Sequence, residues 1–133
     1  MDNKLIDRFQ KKSPAKKLQI DKLQELLDCE LPKDYINFML SSNGGEGWIG
    51  QNSYLMLWRL EDILELNIKY NTFELIPGLL IFGSNGGIDA YAFDTRLKAI
   101  PIVNVPFIGM NLNEVNYIGD TFEEFLENLY NSN

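Results

Sequence analysis

The apolar residues of this chain change their spacing along its length, and that change limits the fold more than any other feature. From 21 to 42 they recur every three or four positions, as on one face of a helix. From 48 to 105 they gather into short runs and alternations that read as strands, with one helical interlude at 60–69. From 120 the helical spacing returns.

In detail, Leu23, Leu26 and Leu27 follow Asp21, a capping residue with Gln24 three positions on, and predict a helix at 21–29. Pro32 then starts another, with Asp34 in its first turn and Tyr35, Phe38, Met39 and Ser42 along one face. Strands are expected at Trp-Ile-Gly (48–50), 54–58, 79–82, 88–94, 99–105 and 115–118. A last helix begins at Asp120, with Glu123 placed for a capping box and Phe122, Phe125, Leu126 and Leu129 facing the core. Strands linked largely by hairpins, with helices partly segregated from them, predict an α+β fold: one domain with a mostly antiparallel sheet flanked by helices. Leu5, Ile6 and Phe9 give the first segment a weak helical spacing, which Ser13-Pro14 breaks.

The tetrapeptide Ser-Asn-Gly-Gly occurs twice, at 42–45 and 84–87. The flanks do not match, so it is not an internal repeat. The first copy follows a helix pattern, and Asn43 or Gly44 is expected to end that helix in the left-handed conformation. The second joins two strands, and Asn85-Gly86 predicts a type I′ hairpin. Neither copy is a phosphate loop. The lysine and hydroxyl residue such a loop needs are replaced by Glu46-Gly47 and Ile88-Asp89.

Composition narrows the chemistry. The 133 residues contain no histidine and one cysteine, Cys29. Histidine-based triads, histidine zinc sites, thiolate metal sites and internal disulfides are excluded. The residues indicate neither a cofactor nor a metal. No secretory signal or membrane-spanning run is read, so a cytoplasmic location is expected. Net charge is −7. Residues 1–17 carry six basic side chains against two acidic ones, +4, which leaves −11 on the remainder. An acidic body disfavours nucleic acid and suits a basic protein partner.

Taken together, LPKDYINFMLSSNGG, YLMLWRLEDILELNIKY, IPGLLIFGSNGGIDAYAFD and the closing GDTFEEFLENL resemble the SUKH superfamily, specifically its Smi/Knr branch. The likeness covers residues 20–133. Residues 1–19 lie outside it and read as a basic helical extension. The positions that match are Leu31, Pro32, Tyr35, Asn43, Gly44, Gly45, Gly86, Asp89 and Phe125. The resemblance implies a non-enzymatic binding protein. Bacterial members look like immunity proteins that neutralise a cognate toxin, often a nuclease; the alternative is a regulatory or scaffolding domain. It implies no catalytic residues.

Candidate partner-binding residues follow. Glu46 and Trp48 follow the first Gly-rich turn, where Trp48 is either an interface anchor or packing at the core edge. Alternation puts Tyr54, Met56 and Trp58 on one strand face and leaves Leu55 and Leu57 for the core. Glu61 and Asp62, with Glu65, form an acidic strip on a helix. Asp89 and Tyr91 share a strand face with Phe93. Phe107, Ile108 and Met110 lie in a loop-like apolar segment expected to be an exposed, adaptable surface.

Overall fold

Seven strands form one sheet in chain order, β1 (Phe9–Lys11), β2 (Gly45–Ile49), β3 (Ser53–Leu57), β4 (Leu79–Ser84), β5 (Asp89–Asp94), β6 (Ile102–Pro106) and β7 (Asn116–Gly119). Every neighbouring pair is antiparallel. Helices α1 (Lys17–Leu27) and α2 (Lys33–Met39) connect β1 to β2. Helices α3 (Leu60–Lys69) and α4 (Thr72–Leu75) connect β3 to β4, and α5 (Phe122–Tyr130) closes the chain. The coordinates are a computed structural model that describes residues 3–132. The fold is α+β and a single domain, as the spacing of apolar residues predicts.

The middle strands are buried on both faces, which is why β4 reads as an unbroken apolar run. One face carries the main core. There Tyr35 of α2 packs edge-on against Phe82, Phe93 and Phe122, with ring centroids 5.7, 4.9 and 5.5 Å away. Burial of each such ring contributes about 2–3 kcal/mol, and each edge-on pair about 1 kcal/mol more. Leu55 and Leu57 point into this core. The opposite face carries a smaller core of Leu79, Ile81, Ala90, Ala92, Val103 and Val105, closed by Ile76 and Met110.

The sheet narrows between β3 and β4. Only Met56–Ser84 and Leu57–Gly83 are in register there, and the Trp58 N–H donates to the Phe82 carbonyl at 3.0 Å. Beyond that point the fully buried Asn67 of α3 substitutes for a strand. Its Nδ2 donates to the Ile81 carbonyl at 2.8 Å, and its Oδ1 accepts from the Ile81 N–H at 2.9 Å.

Several expectations need correction. Among the described residues, 3–16 are not a helical extension, and 17–19 already belong to α1. Asn3–Ile6 form a 3-10 turn, Phe9–Lys11 pair with β2, and Leu5, Phe9 and Ala15 lie in the main core. A three-residue strand is too short to leave a periodic signal. Helix α1 starts at Lys17, not Asp21, because the Lys16 N–H donates to Gln19 Oε1 at 2.8 Å, while Asp21 pairs with Lys17. Helix α1 ends at Asp28, which takes the left-handed conformation. Strand β2 begins at Gly45, earlier than the Trp-Ile-Gly expectation, and β6 begins at Ile102, after a turn in which Ile100 has φ +49°. Helix α5 is capped one residue later than expected: Thr121 Oγ1 accepts from the Glu124 N–H at 3.1 Å.

Neither Ser-Asn-Gly-Gly turn takes its expected form. Helix α2 ends at Leu40, before Asn43 and Gly44. Gly44 has φ +84°, and a Cβ there would lie 2.7 Å from the Leu57 carbonyl oxygen, so the glycine serves the close approach of two strands rather than the helix end. In the second copy only Gly86 has positive φ, so the turn is not type I′. Instead Asn85 Oδ1 accepts from the N–H groups of Gly87 (2.9 Å) and Asp89 (3.2 Å), an Asx-type closure.

Candidate protein-binding surface

The second core stops at Trp58, so the outer side of β2 and β3 is left open to solvent. Register places Trp48 opposite Tyr54 and Glu46 opposite Met56. These side chains therefore stand on one face, with Trp58 next along β3. The Tyr54 hydroxyl donates to Glu46 Oε2 at 2.6 Å. That bond, more than desolvation or charge, raises the tyrosine's pKa, because ionisation would face a carboxylate. The Trp48 and Tyr54 rings meet edge-to-face at 5.2 Å, and the Arg8 guanidinium lies 6.0 Å from the Trp48 ring centroid.

Further along, Trp58 stacks on Tyr70 at 6.2 Å, and Tyr70 contacts Phe107 at 4.9 Å. Aromatic side chains thus run from β2 across β3 and the end of α3 to the loop after β6. A shallow hollow of ≈ 390 Å³ opens beside them, bounded by Glu46, Met56, Trp58, Arg59 and Asp62. Arg59 is held by Asp62 through bonds of 2.8 and 3.2 Å, which raise the pKa of the guanidinium. Ile88 and Ile108 stand near this ladder, 74% and 90% exposed. The Phe107 N–H donates to the Ile88 carbonyl, which ties the two loops together.

The structure brings Glu46, Trp48, Tyr54, Trp58, Asp62 and Phe107 to this surface. Glu61, Asp89 and Met110 lie away from it, and Tyr91 borders it only from beneath, in a cleft of ≈ 440 Å³ shared with Trp48 and Tyr54. Glu61 turns to the far side of α3, where Oε1 accepts from Asn43 Nδ2 at 2.7 Å. Asn43 Oδ1 in turn accepts the Leu60 N–H at 2.9 Å, so the first Asn-Gly-Gly caps α3 from a distance. Asp89 lies on the opposite sheet face from Ala90, and Tyr91 beside it is buried, its ring 4.9 Å from Phe125. Burial first, and Asp89 second, push the Tyr91 hydroxyl up to about 12. Met110 is not an exposed contact residue, because the loop folds back and seats it in the second core. Met56 and Tyr70 belong to the surface but were not singled out as candidates. Alternation along β3 already marks Met56. Tyr70 had no signal, since its place depends on stacking across to Trp58.

A face of aromatic rings with carboxylates at its edge can exclude water against another protein. Among the described residues, no three His, Cys, Asp or Glu side chains form a group that could hold a metal ion. No helix among them is long and apolar enough to cross a membrane.

Comparison with curated proteins finds no match. A family profile does match, over residues 14–128. That span takes in the Asn-Gly-Gly cap on α3, both sheet faces and nearly all of α5. The chain belongs to the SMI1 / KNR4 family (SUKH-1).

Proposed function

We propose that this protein is a non-enzymatic immunity protein that binds a basic cognate toxin domain in the cytoplasm and occludes its active site. SUKH domains act through protein–protein interaction, as immunity or regulatory domains. The observation that carries the finer reading is the open aromatic face of β2 and β3. Trp48 is 42% exposed and lies beside the Glu46–Tyr54 pair, which offers an anchor and a carboxylate to the same partner. The excess of −11 outside residues 1–17 favours a cationic partner such as a nuclease, whose phosphate-binding site an acidic surface would fill.

The test is titration of the purified chain into the toxic domain encoded next to its gene, by calorimetry and by rescue of toxin-inhibited growth. Trp48→Ala and Trp58→Ala are each expected to weaken binding about 10- to 100-fold. Glu127→Lys, on α5 away from this face, should leave it unchanged. Association should also slow by about tenfold between low and high salt, because long-range attraction is screened. Full rescue by the Trp48→Ala/Trp58→Ala double variant would remove this face from the mechanism. A neighbourhood with no toxin gene, together with capture of a host protein through the same face, would favour the regulatory alternative.

A further inference from the structure

A second concave surface lies away from the aromatic face. It is a groove of ≈ 590 Å³ between α1 and α3. Its floor is apolar, made by Leu23, Leu26, Leu60, Leu64 and Ile68. Leu26 is 62% exposed and Ile68 63%. Large apolar side chains this exposed, gathered on two adjacent helices, form a patch of the kind that marks an interface.

The charges at the rim are sorted by wall. The α1 wall carries Lys22 and the α3 wall carries Glu61 and Glu65. Neither Lys22 nor Glu65 is among the ion pairs formed within the described residues; Lys17 pairs instead with Asp21, and Arg59 with Asp62 and more distantly Glu61. A foreign helix of one charge sign would meet attraction on one wall and repulsion on the other. A second copy of this chain would not. A two-fold axis running along the groove sets α1 of each copy opposite α3 of the other. Each Lys22 then faces the acidic pair of its partner, and the exposed Leu26 and Ile68 side chains cover one another. We propose that the α1–α3 groove is a homodimer interface, in which two copies pack as a four-helix layer with crossed Lys22–Glu65 contacts. This leaves the β2–β3 face of both copies outward, and it does not depend on the identity of any toxin.

The experiment is sedimentation velocity of the full chain across a concentration series, with thermal melts of every variant as a folding control. The wild-type chain is expected to show a reversible monomer–dimer equilibrium. Leu26→Glu should weaken dimerisation by about 100-fold, since a carboxylate is placed in the apolar floor of both copies. Lys22→Glu and Glu65→Lys should each weaken it by about tenfold. The Lys22→Glu/Glu65→Lys double variant should restore it to within a fewfold, because the crossed pairs are re-formed with exchanged signs. A wild-type chain that stays monomeric up to about 1 mM overturns the proposal. So does a dimer that is insensitive to Leu26→Glu, or a double variant no better than either single one. If the chain is monomeric and Leu26→Glu instead abolishes toxin binding, the groove belongs to the foreign partner.

Discussion

Ser42-Asn43-Gly44-Gly45 and Ser84-Asn85-Gly86-Gly87 are the same four residues in two settings. The first is buried, and each of its side chains serves another element. Ser42 Oγ accepts from the Lys12 N–H beside β1 and donates to the Gly44 carbonyl, and Asn43 caps α3. The second starts from a buried Ser84 at the end of β4 and reaches solvent at Gly86 and Gly87, and its asparagine serves only its own turn. Its glycine lies against the open face instead: a Cβ on Gly86 would sit 3.2 Å from the Tyr54 ring. Shared backbone preference explains why the tetrapeptide recurs. What each copy is worth depends on what surrounds it.

Substitution should separate the two. Gly44→Val has the largest expected effect. It combines left-handed strain with a clash against the β3 backbone, at least about 3 kcal/mol, and should lower Tm by more than about 10 °C or prevent folding. An unchanged Tm would mean that the close approach at Leu57 relaxes at little cost. Asn43→Ala should cost about 2 kcal/mol, since the Leu60 N–H is left buried without its acceptor and Glu61 loses its donor; chemical denaturation measures this directly. Ile88→Asp, beside the second copy, should leave the melt unchanged and weaken toxin binding about tenfold. A destabilised but fully binding Ile88→Asp chain would reverse the contrast. Asn85→Ala should have the smallest effect, roughly 0.5–1 kcal/mol, because water replaces its turn bonds. Equal losses for Asn43→Ala and Asn85→Ala would erase the distinction altogether.

The same contrast shows what the sequence makes legible. Spacing reveals the antiparallel α+β fold, the core face of α5, and the shared face of Tyr54, Met56 and Trp58, because each is a local pattern. It does not reveal contacts closed across long stretches of chain. Asn43 capping α3 is one such contact. Asp34 is another: its Oδ2 accepts the Glu123 N–H of α5 at 2.9 Å, across 89 positions. Met110 fails for the same reason, since only the return of its loop over the sheet decides that it is buried. Strand β1 fails differently, because its one buried side chain, Phe9, sits between the polar Arg8 and Gln10 and resembles the edge of a helix.

The narrow junction between β3 and β4 has a mechanical consequence. Few backbone bonds join β3 to β4, and the Asn67 amide ties β4 to α3 rather than to β3, so the two halves of the sheet meet along a weakly paired seam and are held together mainly by the shared core. Slow opening at that seam should expose the amides near Trp58 and Ile81 to solvent exchange without melting either half. The run from Trp58 to Tyr70 and Phe107 crosses this line. A partner laid along it would brace both halves at once, so recognition should be felt as added protection at Ile81, beneath the surface the partner touches.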